Sequence, residues 1–151
     1  MIAARHSVRS YSDREVPREI IDRIVDIALT APSARNARSS GFMIIEDRST
    51  MEAISQMRDS GSAFAAGAPC AIVVLGDTAK SSMWVENASI SATFIQLAAV
   101  NFGLGSCWIQ VNGRLRDKND PSKGSAADYL RNLLGIKDGF EPLCVISLGY
   151  E

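Results

Sequence analysis

The stretch from Ser81 to Phe102 constrains this fold most, because it has the composition of a helix with almost no polar side. At the helical repeat, Trp84, Ala88, Ser91, Ala92, Ile95, Ala99 and Phe102 form one stripe. Ile90, Phe94, Leu97 and Ala98 take much of what remains. Such a helix must be covered on more than one side. A chain of 151 residues makes a single domain with one core. The second face is therefore expected to meet another subunit, and an obligate dimer is the first expectation.

The other segments alternate between strand and helix signals. A helix is expected from Val16-Pro17, with Ser12 or Asp13 near its cap and Ile20, Ile21, Ile24, Ile27 and Ala28 on one face. Ala31 to Asn36 reads as a loop and Phe42 to Asp47 as a strand. Ser49 or Thr50 is expected to cap a short helix through Met57. Ala63 to Pro69 is a connection of no clear pattern, and Cys70 to Leu75 reads as a central strand. Gly103-Leu104-Gly105 stops the long helix, and Ser106 to Val111 is a further strand. After a polar loop from Asn112 to Gly124, Ser125 to Leu134 reads as a helix closed by Gly135, and Pro142 to Leu148 as a last strand. This order predicts an α+β fold around one sheet rather than a regular doubly wound parallel sheet.

Composition removes several functional classes. Sixteen Lys and Arg against seventeen Asp and Glu leave a net charge of −1, without the basic excess of a nucleic-acid binder. No apolar run approaches the roughly 18 residues that cross a bilayer, and Met1 to Arg5 contains no signal-peptide core. The 3 cysteines, Cys70, Cys107 and Cys144, each lie in an apolar run and form no Cys-x-x-Cys pair. They read as buried free thiols, which points away from zinc and towards a reducing, cytoplasmic setting.

Three polar segments could carry chemistry. Arg5-His6-Ser7-Val8-Arg9 places two guanidinium forks and a hydroxyl within reach of an oxyanion, or forms a solvated basic turn. Ala31-Pro32-Ser33-Ala34-Arg35-Asn36-Ala37-Arg38 could hold a polar heteroaromatic ring, or simply end a helix. Gly103-Leu104-Gly105-Ser106-Cys107-Trp108-Ile109-Gln110 lets a backbone approach closely, but it follows a helix and lacks the Gly-x-Gly-x-x-Gly spacing of a dinucleotide loop. Walker A, His-Glu-x-x-His and Gly-x-Ser-x-Gly patterns are absent.

The order of these segments carries more than any one of them. Arg5 to Tyr11, Ala31 to Asn36, Ala68 to Val74, Trp84 with Glu86, Gly103 to Gln110 and Ile146 to Tyr150 together resemble the nitroreductase family of FMN-dependent NAD(P)H oxidoreductases. The resemblance spans essentially the whole chain and is closest to short bacterial members. It implies an α+β fold with a central mixed β-sheet flanked by helices, and a homodimer with two FMN sites at the subunit interface. It implies that Arg5 and Ser7 bind the FMN phosphate with His6 beside them, and that Arg9 lies near the flavin N1–O2 edge. Pro32, Ser33 and Asn36 match a loop that reaches the flavin from the partner subunit. Trp108, Ile109 and Gln110 match the segment along the ring, with a backbone N–H near Gln110 meeting flavin N5. NAD(P)H would be the donor, with nitroaromatics or quinones reduced by ping-pong hydride transfer. No metal and no separate acid or base residue is implied.

Two departures from the family pattern bear on that activity. The single domain, residues 1–151, is expected to be shortened at both ends. Arg38-Ser39-Ser40 also stands where many members carry Gln-Pro-Trp or Arg-Pro-Trp. The aromatic lost after Asn36 and the expected short C-terminus favour the alternative, an FMN-binding protein of the same fold that stores or senses flavin with little reductase activity.

Overall fold

The computed structural model describes residues Met1–Glu151. Helix α1 (Arg18–Ala28) starts directly after Pro17, whose carbonyl accepts from the Ile20 and Ile21 amides. No side chain caps it, so the expected role of Ser12 or Asp13 is corrected: Pro17 with its fixed φ sets the entry. Strand β1 (Ser40–Ile45) leads to helix α2 (Arg48–Ser55). The cap of α2 is Asp47 rather than Ser49 or Thr50. Its carboxylate accepts from the Thr50 amide at 2.9 Å and the Thr50 hydroxyl at 2.8 Å, and a negative charge suits a helix N-terminus better than a neutral hydroxyl.

A 3₁₀ turn at Ala63–Gly67 precedes strand β2 (Cys70–Asp77). Helix α3 (Trp84–Asn101) is the long apolar helix, ended by Gly103 at φ 74°. Strand β3 (Gly105–Gln110), helix α4 (Ala126–Leu134) and strand β4 (Phe140–Gly149) complete the chain. Ser125 caps α4 by accepting from the Asp128 amide, and Gly135 closes it in the left-handed region.

The α+β class holds, with strand order β1-β2-β4-β3 in a 4-stranded sheet. All its ladders are antiparallel, which corrects the expected mixed sheet. Its one parallel feature is an isolated bridge between Ser7 and Ser106. A parallel neighbour needs a crossover that carries the chain back to the strand's starting end, and neither the α2 nor the α4 connection does so. The β2–β4 register slips between Val74 and Leu75, where Leu75 faces Pro142. Proline cannot donate to a ladder, so a bulge at this point is the usual accommodation.

Both faces of the sheet are covered, which explains why β2 and β4 read as unbroken apolar runs. On one face Ile72, Val74, Ile146 and Leu148 pack with Ile21 and Ile24 of α1 and Ala92 and Ile95 of α3. On the other, Val73, Ile109 and Val145 pack with Met51 and Ile54 of α2 and Leu130 of α4. All the cysteines are buried and unpaired, and burial pushes the Cys70 thiol up to about 12. No helix is long and apolar enough to cross a membrane. The outer side of α3 has no cover within the chain. Ile90 is exposed, and Phe94 and Leu97 are half-buried beside exposed Met1 and Ile27, around a groove of ≈ 250 Å³.

Candidate functional site

The segment Arg5–Arg9 is strapped onto the outer edge of β3. The Val8 amide donates to the Ser106 carbonyl at 2.9 Å, and Ser7 bridges Ser106 in parallel. Val8 turns inward and is buried, so strand alternation turns Ser7 and Arg9 outward, where both are exposed. The Tyr11 hydroxyl donates to the Val8 carbonyl at 2.8 Å. It is also bonded at 2.7 Å to the Ser147 hydroxyl, whose other partner is the more distant Cys107 carbonyl at 3.4 Å. Burial, above all, pushes the Tyr11 phenol up to about 12, so it remains a donor. Beyond Tyr11, the Ser12 amide donates to the Tyr150 carbonyl at 2.8 Å.

Arg5, His6 and Ser7 thus stand at the start of β3, next to the end of α3. A cavity of ≈ 190 Å³ lies there, lined by His6, Val8, Gly103, Gly105, Ser106 and Glu151 among others. The His6 ring donates from Nδ1 to the Ala4 carbonyl at 3.1 Å, and its Nε2 lies 3.3 Å from the Glu151 carboxylate. Those two contacts, the first foremost, hold His6 above its ordinary pKa. Arg9 places its guanidinium carbon 5.8 Å from the Phe64 ring centroid, a loose cation–π contact.

Further along the same edge lie Trp108 and Gln110. Ser106 pairs outward with Val8, so alternation turns the backbone groups of Trp108 and Gln110 outward as well. The Gln110 carbonyl meets Arg58 Nη1 at 3.4 Å, while the buried Nε of Arg58 has no partner. Trp108 donates from its indole to Gln110 Oε1 at 2.8 Å, and Gln110 Nε2 donates to the Asn112 carbonyl at 2.9 Å. These bonds fix both side chains and leave the outward backbone amides of the edge as the open feature. Ile109 has a different place: its side chain is fully buried between the sheet and α2–α4, where it anchors the segment from behind.

The third segment, Pro32, Ser33 and Asn36, sits at the opposite end of α3. Arg35, Asn36 and Arg38 all have left-handed φ values, 54°, 54° and 49°. Each costs on the order of 1–2 kcal/mol for a residue with a Cβ, so the surroundings must hold the turn. The Ser33 hydroxyl accepts from the Arg38 amide at 3.0 Å, and the Ala34 amide donates to Asn87 Oδ1 of α3 at 2.9 Å. Asn87 Nδ2 donates to the buried Ser39 hydroxyl at 2.9 Å.

Within one chain, the Arg5–Arg9 strap and the Trp108–Gln110 edge therefore come together, and the Pro32–Asn36 loop does not join them. The strap lines a cavity with Val100, whereas the loop hangs from Asn87. That is about 20 Å of helix at roughly 1.5 Å per residue. Sequence reasoning passed over Asn87 and Arg58. Asn87 had a signal, a carboxamide one turn before Ser91 on the inward stripe of a largely apolar helix; Arg58 had none.

Comparison with known proteins places the chain. The sequence profile of the nitroreductase family matches residues 2–59 and 54–150. A protein of Methanothermobacter thermautotrophicus named "Putative NADH dehydrogenase/NAD(P)H nitroreductase" is 37% identical over 99% of this chain and 74% of its own. One of the same name from Archaeoglobus fulgidus is 36% identical over 99% of this chain and 83% of its own. Among solved structures, an FMN-dependent nitroreductase from Clostridium difficile R20291 superposes with a TM-score of 0.93 at 40% identity, covering 99% of this chain and 85% of that one.

Proposed function

The chain belongs to the nitroreductase family, and we propose that it is an FMN-dependent oxidoreductase that uses NAD(P)H to reduce electron-poor acceptors such as nitroaromatics or quinones. The observation that carries this reading is the β3 edge. It offers two arginines, a hydroxyl and an imidazole at one end and outward backbone groups at Trp108 and Gln110 further along. That donor set fits FMN: charge-assisted donors suit a phosphate, and an open strand edge suits the polar rim of a flat ring.

In this reading Arg5, Ser7 and His6 bind the phosphate. Arg9 keeps a positive charge by the flavin N1–O2 edge, where it favours negative charge, and the outward amide of Gln110 orients the ring at N5. Pro32, Ser33 and Asn36 come from the partner subunit, docked through the uncovered apolar side of α3. FMN held there would supply the redox chemistry, hydride transfer from NAD(P)H to an acceptor in ping-pong order. The chain's own groups bind, orient and set charge, and none needs to transfer a proton.

The test is purification in the oxidised state, followed by release and identification of the flavin and steady-state NADH and NADPH oxidation with a nitroaromatic or a quinone. Bound FMN with turnover by one nucleotide supports the reductase. FMN without turnover returns the alternative of a flavin store or sensor, which the small Arg38-Ser39-Ser40 segment favours. A protein that binds no FMN overturns both.

A further inference from the structure

We propose that Asn87 is a positioning residue of the flavin site, holding the Ser33–Arg38 loop in the shape that presents Ser33 and Asn36 to the flavin; this rests on the reading of that loop given above. Asn87 lies in the first turns of α3 and is only 2% exposed, a carboxamide buried on the inward face of the helix. Its carboxamide is used on both sides. Oδ1 accepts from the Ala34 amide at 2.9 Å, and Nδ2 donates to the Ser39 hydroxyl at 2.9 Å and, more loosely, to the Ser81 hydroxyl at 3.4 Å.

Ala34 and Ser39 bracket the three left-handed residues Arg35, Asn36 and Arg38. Asn87 therefore clamps both ends of the strained turn from beneath. The bonds inside the turn, Asn36 amide to Ser33 carbonyl, Ala37 amide to Ala34 carbonyl, Arg38 amide to Ser33 hydroxyl and Arg38 Nε to Asn36 Oδ1, set its local shape but tie it to nothing else, and the Asp77 amide of β2 holds only the far end, at the Ser39 carbonyl. Ser39 is 1% exposed, and its small side chain leaves room for the Asn87 amide to reach it. Asn87 contacts none of the groups assigned to the flavin, so its influence passes entirely through the loop.

The experiment compares the full-length parent with Asn87→Leu, Asn87→Asp, Ser91→Ala and Asn36→Ala. Hydrogen exchange is followed across residues 31–38 in the flavin-free protein, and FMN affinity is measured by fluorescence titration. Asn87→Leu is expected to speed exchange at the Ala34 amide and its neighbours and to weaken FMN, each by about 10-fold, with exchange in the central strands unchanged. Asn87→Asp is expected to recover part of both, falling between Asn87→Leu and the parent, because a carboxylate accepts from the Ala34 amide and both hydroxyls can turn to donate, against the cost of a buried charge. Ser91→Ala removes another buried hydroxyl from the same helix, bonded to Ser40 rather than the turn, and is expected to match the parent.

Asn87→Leu with parent-like FMN affinity overturns the proposal, whether or not exchange accelerates, and so does failure of Asn87→Asp to rescue. Should Asn87→Leu not fold, Ser39→Ala removes one partner alone and must move both readouts in the same direction, by about threefold; parent-like values overturn the proposal. If Asn36→Ala leaves FMN affinity unchanged, the loop reading itself falls and takes this inference with it. If Asn36→Ala weakens FMN and Asn87→Leu does not, only the inference falls.

Discussion

The Val8 side chain fills the space that a Cβ on Gly105 would need, with its carbons 2.7, 2.8 and 2.9 Å from that position. Val8 is buried and its amide is bonded to Ser106, so it cannot swing away without lifting the Arg5–Arg9 strap. Gly105→Ala is expected to cost about 1–3 kcal/mol in thermal unfolding, as overpacking does, and to weaken FMN binding in step. Val8→Ala in the same background should recover part of both. A Gly105→Ala protein that melts and binds FMN like the parent would show that the strap is not locked there.

The phosphate end of the site separates two ligands that share a ring. Arg5→Ala is expected to weaken FMN by about 2 kcal/mol, some 30-fold, and riboflavin hardly at all, because the bond lost is charge-assisted. Equal losses for both ligands in a fluorescence titration would place Arg5 away from the phosphate.

His6 adds a pH dependence with a definite sign. The Ala4 carbonyl, and then the Glu151 carboxylate, favour the protonated ring and raise its pKa from 6.5. A raised folded-state pKa means that the charged form persists above the ordinary value and is lost as pH climbs through the raised one. FMN affinity is therefore expected to fall as pH climbs past the ordinary imidazole value and through the raised one, and riboflavin affinity is not. The second ionisation of a phosphate, near pH 6, works in the opposite direction, so the informative comparison is the parent against His6→Gln. Identical pH profiles for the two proteins would remove His6 from the phosphate site.

How much of this was legible in the sequence follows from what each element depends on. The buried strands Cys70–Asp77 and Phe140–Gly149 announce themselves because both sheet faces are covered, and Gly135 marks a helix end because a left-handed residue closes it. Strand direction was not legible, since the β2–β4 pairing joins segments some 70 residues apart with no local signal. The cap of α2 was misplaced because Asp47, Ser49 and Thr50 all suit that position, and only geometry shows which one accepts. Arg5, Ser7 and Asn36 became site candidates only through family resemblance. Their separation to opposite ends of α3 was not legible, because it depends on the strap pairing with the β3 edge.

The uncovered side of α3 gives the dimer its test. Leu97 is half-buried beside Phe94 and Ile27, on a face that the chain itself leaves open. Leu97→Glu is expected to yield a monomer by light scattering with the fold intact by circular dichroism, because a carboxylate there cannot be buried unpaired. FMN binding should weaken together with the loss of the dimer. A stable dimer in Leu97→Glu would move the interface to another surface, and a parent protein that is itself monomeric at micromolar concentration would end the dimer reading.

If one flavin draws Arg5 and Ser7 from one chain and Asn36 from the other, two crippled chains should repair each other. An Arg5→Ala chain mixed with an Asn36→Ala chain forms heterodimers with two unequal sites. One site takes both lesions and stays dead, while the other takes neither and recovers, so each heterodimer regains about half the parent's activity and a randomly exchanged equal mixture, half of it heterodimer, rises towards about a quarter. The structure supports this arrangement through α3. The strap lies beside Val100 and the loop is tied to Asn87, about 20 Å apart along α3 at the helical rise. Folding the loop back over that distance would break the Ala34–Asn87 bond and release three left-handed residues from their support. Subunit exchange must first be verified, for instance by mass spectrometry of tagged chains. Activity that then stays at the level of the two parent variants would place Arg5 and Asn36 in the same subunit's site and refute the shared one.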